Sequence, residues 1–250
     1  MKTLYFDCFS GISGDMTIGA LIDAGADPYK MADELKKLAI QDEYELSWQT
    51  VNKNGITSTT FDVILSESHD SHHHGHHHHR HHHRHYSDIV DMIHHADFDE
   101  TSQQLALAMF KVIGEAEGKI HGIPLENVHF HEVGSIDSII DIVGTALLIS
   151  QIQPDYIMSS SIPPGYGSVH IDHGIYPVPA PATLEILKGI PLQSKDVCAE
   201  LTTPTGAAMI SVLVDQYGPF PSITTDHIGY GAGTKTFDTH PNVLRIVIGH

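Results

Sequence analysis

The pattern of apolar and polar positions divides the first part of the chain into short strands and helices. The run "TLYFDCF" (residues 3–9) predicts a strand, and "DMTIGALIDAG" predicts a helix that ends at Gly25. Asp27 and Pro28 are residue types preferred at the N-cap and the first position of a helix, so a second helix is expected after them. Two β-rich runs that meet at Asn54–Gly55 predict a β-hairpin.

The same alternation continues to residue 250. Strands and helices are mixed along the chain, which predicts an α/β or α+β fold with a mixed sheet and packed helices, in a single domain over residues 1–250. The remaining predicted elements are helices over 86–96, 102–122, 136–152, 181–189 and 203–218, strands over 155–162 and 242–249, a loop over 163–181 and a glycine-rich turn over 229–237.

A histidine tract over residues 69–85 interrupts this pattern. It holds twelve of the 22 histidines of the chain and has no apolar periodicity, so it predicts a disordered loop inserted within the domain. Gly75, Arg80 and Arg84 break the tract, and its irregular spacing is typical of many interchangeable, exposed metal sites. The predicted ligands in the tract are His72, His73, His74, His76, His77, His78, His79, His81, His82 and His83.

Composition excludes several classes of protein. The 250 residues carry 13 basic and 31 acidic side chains, a formal net charge of −18 that disfavours nucleic acid and anionic membranes as partners and favours cations. No apolar run approaches the roughly 18 residues of a membrane span. The two cysteines, Cys8 and Cys198, form no C-x-x-C pair, which suits a reducing cytoplasm and argues against a disulfide framework.

The segment "HFHEVGSIDSIID" (residues 129–141) is the best candidate for an ordered metal site. His129 and His131 are two positions apart and share one face of an extended segment, Glu132 follows, and Asp137 and Asp141 share one stripe of the next helix. Imidazole and carboxylate suit Ni, Zn, Mn or Fe. The alternative is that Asp137 only caps the helix and His129 is a hydrogen-bonded core residue. The apolar surroundings of Asp141 favour the metal site, since a buried carboxylate needs a partner.

A second candidate is the loop "FDCFSGISGD" (residues 6–15). A glycine-containing loop at the start of a helix predicts an anion site, or a divalent ion shared by Asp7 and Asp15, while the alternative is an ordinary turn with Asp15 as the cap. The loop "ELTTPTGAA" (residues 200–208) adds hydroxyl groups. The cofactor-binding candidates of these two loops are Ser10, Gly11, Ser13, Gly14, Thr203 and Thr205.

Taken in order, "MKTLYFDCFSGISGDMTIGALIDAG", the histidine tract, "VHFHEVGSIDSIIDIVG", "PVPAPATLEILKG" and "ELTTPTGAA" resemble the LarC family of nickel-insertion proteins. The resemblance implies a lyase-type nickel insertase that places Ni²⁺ in pyridinium-3,5-bisthiocarboxylic acid mononucleotide. The product is the nickel-pincer nucleotide cofactor of lactate racemase and related enzymes. It also implies CTP hydrolysis with Mn²⁺ or Mg²⁺.

Family members continue into a C-terminal domain associated with CTP, so we expect this chain to be the N-terminal portion, acting with that domain and as a homo-oligomer. Forming a nickel–carbon bond requires loss of a ring proton, and Glu132 or His131 is the expected base. The phosphate of the substrate is expected at the loop over residues 6–15. Two alternatives stay open: a nickel store or metallochaperone built on the tract, and a metal-dependent phosphohydrolase.

Overall fold

A computed structural model describes residues 1–66, 84–130, 133–171 and 174–250. The predicted loop over residues 69–85 therefore lies outside the described residues except for Arg84 and His85. His131 and Glu132, which carry the predicted catalytic roles, also lie outside them.

The described residues form a seven-stranded mixed sheet, a two-stranded ribbon and seven α-helices, and this confirms the predicted fold class. The strands are β1 (Thr3–Asp7), β2 (Tyr44–Lys53), β3 (Ile56–Leu65), β4 (Tyr156–Ser159), β5 (Ser168–Ile171), β6 (Gly174–Pro177), β7 (Gln216–Tyr217), β8 (Thr225–Ala232) and β9 (Val243–Gly249). The helices are α1 (Gly14–Asp23), α2 (Pro28–Leu35), α3 (Tyr86–His95), α4 (Glu100–His121), α5 (Ile136–Ile152), α6 (Pro181–Ile186) and α7 (Pro204–Leu213).

The large sheet has the order β2-β3-β8-β9-β1-β4-β7. The pairs β2/β3, β8/β9 and β9/β1 are antiparallel, and β3/β8, β1/β4 and β4/β7 are parallel. The last strand thus lies in the middle of the sheet, beside the first. Its run "VLRIVIG" is buried except for the partly exposed Arg245, as expected for a strand with a neighbour on each side.

Helices cover the sheet and share one apolar core with it. Helix α5 is apolar nearly all round and has ten buried residues, which is the pattern of a helix enclosed by neighbours. Helix α1 lies very close to β8, since a Cβ added to Gly229 would be 2.1 Å from the Ala20 carbonyl oxygen and one added to Gly231 would be 1.8 Å from that of Met16. Two glycines in a strand therefore allow this close approach.

Most predicted elements are confirmed, and the residues predicted to start helices and to turn the hairpin do so. The Asp27 side chain accepts hydrogen bonds from the backbone N–H groups of Tyr29 and Lys30 at the start of α2. The β2–β3 hairpin turns at Asn54 and Gly55, whose φ angles are +49° and +88°. Among the helices of the described residues, none combines the length and apolar character that crossing a membrane requires.

Three predictions were wrong. The predicted helix over 203–218 ends at Leu213, and Gln216–Tyr217 pairs with β4 as strand β7. The predicted loop over 163–181 contains the antiparallel ribbon β5–β6, because four-residue strands around Gly174 are too short to give a periodic signal. The predicted glycine-rich turn over 229–237 is strand up to Ala232. Its glycines serve packing against α1 rather than chain reversal.

Candidate active site

A cavity of about 370 Å³ opens where four segments of the chain meet. These segments are the N-terminus of α1, the middle of β3, the first turns of α5 with Val133 three residues before that helix, and the N-terminus of α7 with the loop before it. The lining residues are Ser13, Gly14, Asp15, Phe61, Asp62, Val63, Val133, Asp137, Ser138, Asp141, Glu200, Thr203, Pro204 and Thr205.

Two loops that are distant in sequence form one wall. The Ile12 N–H donates to the Leu201 carbonyl oxygen at 3.0 Å, and the Thr203 N–H donates to the Ile12 carbonyl oxygen at 3.1 Å. Gly206 permits this contact, since a Cβ there would lie 2.1 Å from the Ile12 oxygen. The predicted loops over 6–15 and 200–208 therefore contribute to the same site.

Four aspartates from three different elements line the cavity. Desolvation, with repulsion from Asp15, Asp137 and Asp62, raises the pKa of Asp141 well above its usual value. Desolvation also raises the pKa of Asp15, although the Ser13 hydroxyl donates a hydrogen bond to its carboxylate. Because each carboxylate makes ionisation of the others harder, the group favours a proton or a cation in the cavity.

Asp141 and Gly14 fit together closely. A Cβ added to Gly14 would lie 2.3 Å from Asp141 Oδ2 and 2.5 Å from Asp141 Cβ. The side chain of Asp141 therefore occupies the space that any other residue at position 14 would need. Asp137, one helical turn earlier on α5, is exposed at the rim.

The loop over 200–208 adds a glutamate and a hydroxyl pair to the cavity. Desolvation raises the pKa of Glu200, and the positive charge of the nearby Lys235 partly offsets this by lowering it. The Lys235 ammonium donates to the Glu200 carbonyl oxygen at 3.1 Å. Thr203 and Thr205 hydroxyls lie 2.9 Å apart, and Thr203 caps α7 by accepting from the Gly206 N–H.

Some predicted residues have other surroundings. Asp7 accepts a two-pronged hydrogen bond from Arg245 and does not line the cavity. Ser10 is fully buried, and its hydroxyl contacts Asn242 at 3.3 Å and His240 at 3.1 Å. A Cβ on Gly11 would lie 1.9 Å from the Leu201 oxygen, so this glycine serves loop packing.

The predicted histidines are not brought to this cavity within the described residues. His129 is exposed and faces His85, with the ring centroids 3.7 Å apart. His131, Glu132 and the predicted ligands of the tract from His72 to His83 lie outside the described residues.

Over residues 1–66, 84–130, 133–171 and 174–250, no three or more His, Cys, Asp and Glu side chains are arranged as a metal site. Sequence reasoning missed Asp62 and Glu200. The signal for Asp62 was an acidic residue inside the β-rich run "TTFDVIL", and Glu200 opens the quoted loop "ELTTPTGAA".

Residues 4–250 match the family described as "Nickel insertion protein". The chain is 56% identical over 255 residues to the "Pyridinium-3,5-bisthiocarboxylic acid mononucleotide nickel insertion protein" of Geobacillus kaustophilus, covering 100% of the chain and 60% of that relative. It is 49% identical over 247 residues to the protein of the same name from Staphylococcus epidermidis, covering 98% of the chain and 59% of the relative. A "Putative nickel insertion protein" of Citrifermentans bemidjiense is 44% identical over 249 residues, covering 100% of the chain and 62% of the relative.

The chain thus spans about 60% of the length of the curated relatives it matches. No solved structure matches it. Because the family match extends over nearly the whole chain and the identities are high, the assignment is direct: the chain belongs to the nickel insertion protein family.

Proposed function

We propose that this chain inserts Ni²⁺ into pyridinium-3,5-bisthiocarboxylic acid mononucleotide, the compound named in the descriptions of its relatives, and that the carboxylate cavity is the insertion site. The observation that carries the proposal is the meeting of Asp15, Asp62 and Asp141 in one cavity. A volume of about 370 Å³ falls within the range of small-molecule sites.

Charge supports the arrival of a divalent cation at this position. Repulsion from Asp15, Asp137 and Asp62 contributes to the raised pKa of Asp141, so a cation that replaced the protons would relieve it. The formal net charge of −18 draws cations to the protein as a whole. Nickel is the cargo in this proposal, held by the cavity until the organic acceptor takes it.

The donor set also fits Mn²⁺ or Mg²⁺. Carboxylate and hydroxyl oxygens are the hard ligands these ions prefer. Asp15, Asp62 and Asp141 line one cavity, but no three acidic, His or Cys side chains of the described residues are arranged as a metal site, so these aspartates would have to move together to hold an ion. Together with CTP, such an ion supplies positive charge to phosphate groups. We propose that the CTP-dependent step requires the part of the relatives that extends beyond the matched region, acting as partner to this chain.

The organic acceptor would be positioned by the hydroxyl groups of the cavity, Ser13, Thr203 and Thr205 among them. Among the described lining residues none is a lysine or arginine, so the acceptor phosphate needs either a bound cation or a basic group behind the wall. Lys235 is the candidate, because its ammonium contacts the backbone of Glu200.

Forming the nickel–carbon bond requires removal of a proton from the pyridinium ring. Glu132 and His131 remain our proposed bases. In sequence they directly precede Val133, which lines the cavity. The tract histidines remain a proposed reservoir for nickel.

The test is cofactor formation with the full-length protein, Ni²⁺, the mononucleotide, CTP and Mn²⁺, measured by mass spectrometry of the nickel-containing product. Replacing Asp141 by Asn should lower the rate by about 10–100-fold, because a ligand oxygen is lost while the size of the side chain is kept. Asp33→Asn is the matched control, since Asp33 is an exposed carboxylate on α2 that pairs with Lys36.

An Asp141→Asn protein that forms product at the wild-type rate would remove the cavity from the insertion step. Replacing the tract histidines by serine separates insertion from storage. If the serine variant still forms product at saturating nickel, the remainder of the chain carries the reaction; loss of all metal binding would instead favour the nickel store.

A further inference from the structure

His85 and His129 are facing residues of an isolated antiparallel bridge. The Tyr86 N–H donates to the Val128 carbonyl oxygen at 3.0 Å, and the Phe130 N–H donates to the Arg84 carbonyl oxygen at 3.3 Å. These two bonds flank the histidines, so the pair occupies a non-hydrogen-bonded position. Facing side chains are closest at such positions, with Cα atoms about 4.5 Å apart. The ring centroids lie 3.7 Å apart with the ring planes at 50°.

The backbone on both sides of the pair is anchored. Arg84 donates to both carboxylate oxygens of Glu43, at 2.9 and 3.0 Å. Phe130 is 1% exposed and packs against Phe110 and Tyr86. The contacts of Arg84 and Phe130 thus fix the backbone beside the imidazoles, and the His85 side chain also forms a capping box with Asp88 at the start of α3. Binding one ion to both imidazoles would therefore cost little ordering of the chain.

The pair is accessible and has the right chemistry for a metal. His129 is exposed and His85 is partly exposed. Each neutral imidazole offers one nitrogen lone pair, and imidazole suits Ni, Zn and Cu. Two ligands leave several coordination positions to water, so a bound ion would exchange readily.

We propose that His85 and His129 form a two-imidazole site for Ni²⁺ outside the cavity. Val133, which lines the cavity, follows His129 by four residues, so their Cα atoms are at most about 14 Å apart. In sequence, His85 directly ends the tract. A role in passing nickel from the tract towards the cavity rests on the proposed function, whereas the binding of nickel by the pair does not.

The experiment is calorimetric titration with Ni²⁺ alone, using the full chain with the ten tract histidines from His72 to His83 replaced by serine. His85→Phe and His129→Phe keep a ring in each position and remove the nitrogens. Each single variant should weaken nickel binding by roughly tenfold or more, because chelation by the second imidazole is lost. The double variant should bind nickel about as weakly as either single variant, because one imidazole left without its partner is only a weak monodentate ligand. His94→Phe, on exposed α3 surface, is the matched control and should bind as the parent does.

Equal affinity of the parent and His85→Phe would overturn the proposal, and so would fully additive losses in the double variant. Far-UV circular dichroism confirms folding, and His129→Gln replaces His129→Phe if the phenylalanine variant does not fold. Failure of the proposed function is seen separately. An Asp141→Asn protein that forms product at the wild-type rate, with an unchanged affinity at the histidine pair, would overturn the proposed function and leave this inference standing. Loss of the pair's affinity leaves the cavity test unaffected.

Discussion

Replacing Gly14 by alanine tests the contact on which the shape of the cavity depends. The added Cβ would lie 2.3 Å from Asp141 Oδ2 and 2.5 Å from Asp141 Cβ, where ordinary contact begins at 3.4 Å. The distances from the added Cβ to Asp141 are therefore about 1 Å shorter than van der Waals contact allows. Because the Cβ of Asp141 is itself too close, a new rotamer of Asp141 cannot relieve the overlap, and helices α1 and α5 must separate.

Two effects of opposite sign compete in this variant. Alanine is a better helix former than glycine by up to about 1 kcal/mol. Overpacking of a close contact costs about 1–3 kcal/mol. The steric term is the larger, and we expect a net loss of roughly 1–2 kcal/mol, which for a chain of this size lowers the melting temperature by about 2–8 °C. If the cavity is the insertion site, a shift near 1 Å should also slow product formation by about 10²-fold.

Thermal unfolding followed by circular dichroism and the product assay measure the two effects. Gly218→Ala is the control, since its added Cβ would meet only Met158 Cε, at 3.9 Å. The reasoning fails if Gly14→Ala melts at or above the wild-type temperature and forms product at the wild-type rate.

Two further predictions concern stability. The pKa of Asp141 is raised from 3.8 in the folded chain by desolvation and by repulsion from Asp15, so above pH 3.8 the unfolded chain releases a proton that the folded chain retains. This carboxyl therefore destabilises the folded state increasingly as pH rises through the folded pKa. Urea unfolding between pH 4 and 8 should show that the free energy of unfolding of Asp141→Asn exceeds that of the wild type by an amount that grows with pH. A constant or shrinking difference would contradict the sign. Replacing the buried Phe130 by alanine should cost about 3–5 kcal/mol in the same assay, since its contacts with Phe110 and Tyr86 are lost, and a loss below about 1 kcal/mol would show that the site repacks.

The local elements followed from short-range chemistry. Asp27 and Pro28 start α2, Asn54–Gly55 turns the hairpin, and the apolar run over Ile136–Ile152 is α5 with the same bounds as predicted. In each case the deciding interactions lie within a few residues, as in capping and turn geometry. Where a feature served packing against a distant element, as with Gly229 and Gly231 against α1, the local pattern predicted a turn and was wrong.

In the candidate site, too, the sequence indicated single residues and the tertiary structure decided which of them meet. Residue types indicated Asp15, Asp141, Thr203 and Thr205 as chemically meaningful, and the tertiary structure places them in one cavity. Asp62 was missed, because an acidic residue inside a β-rich run does not show which groups it will face until the sheet places it near Asp141.

The sequence by itself determined most of the helices and strands, the residues that start α2 and turn the β2–β3 hairpin, and which family the chain resembles. Only the tertiary structure decided that Asp7 pairs with Arg245 instead of facing Asp15, and that His129 faces His85. The physical reason is that partner choice depends on strand order and helix packing over separations of up to 238 residues. Capping, turn chemistry and periodicity act over only a few residues, so they do not carry that information.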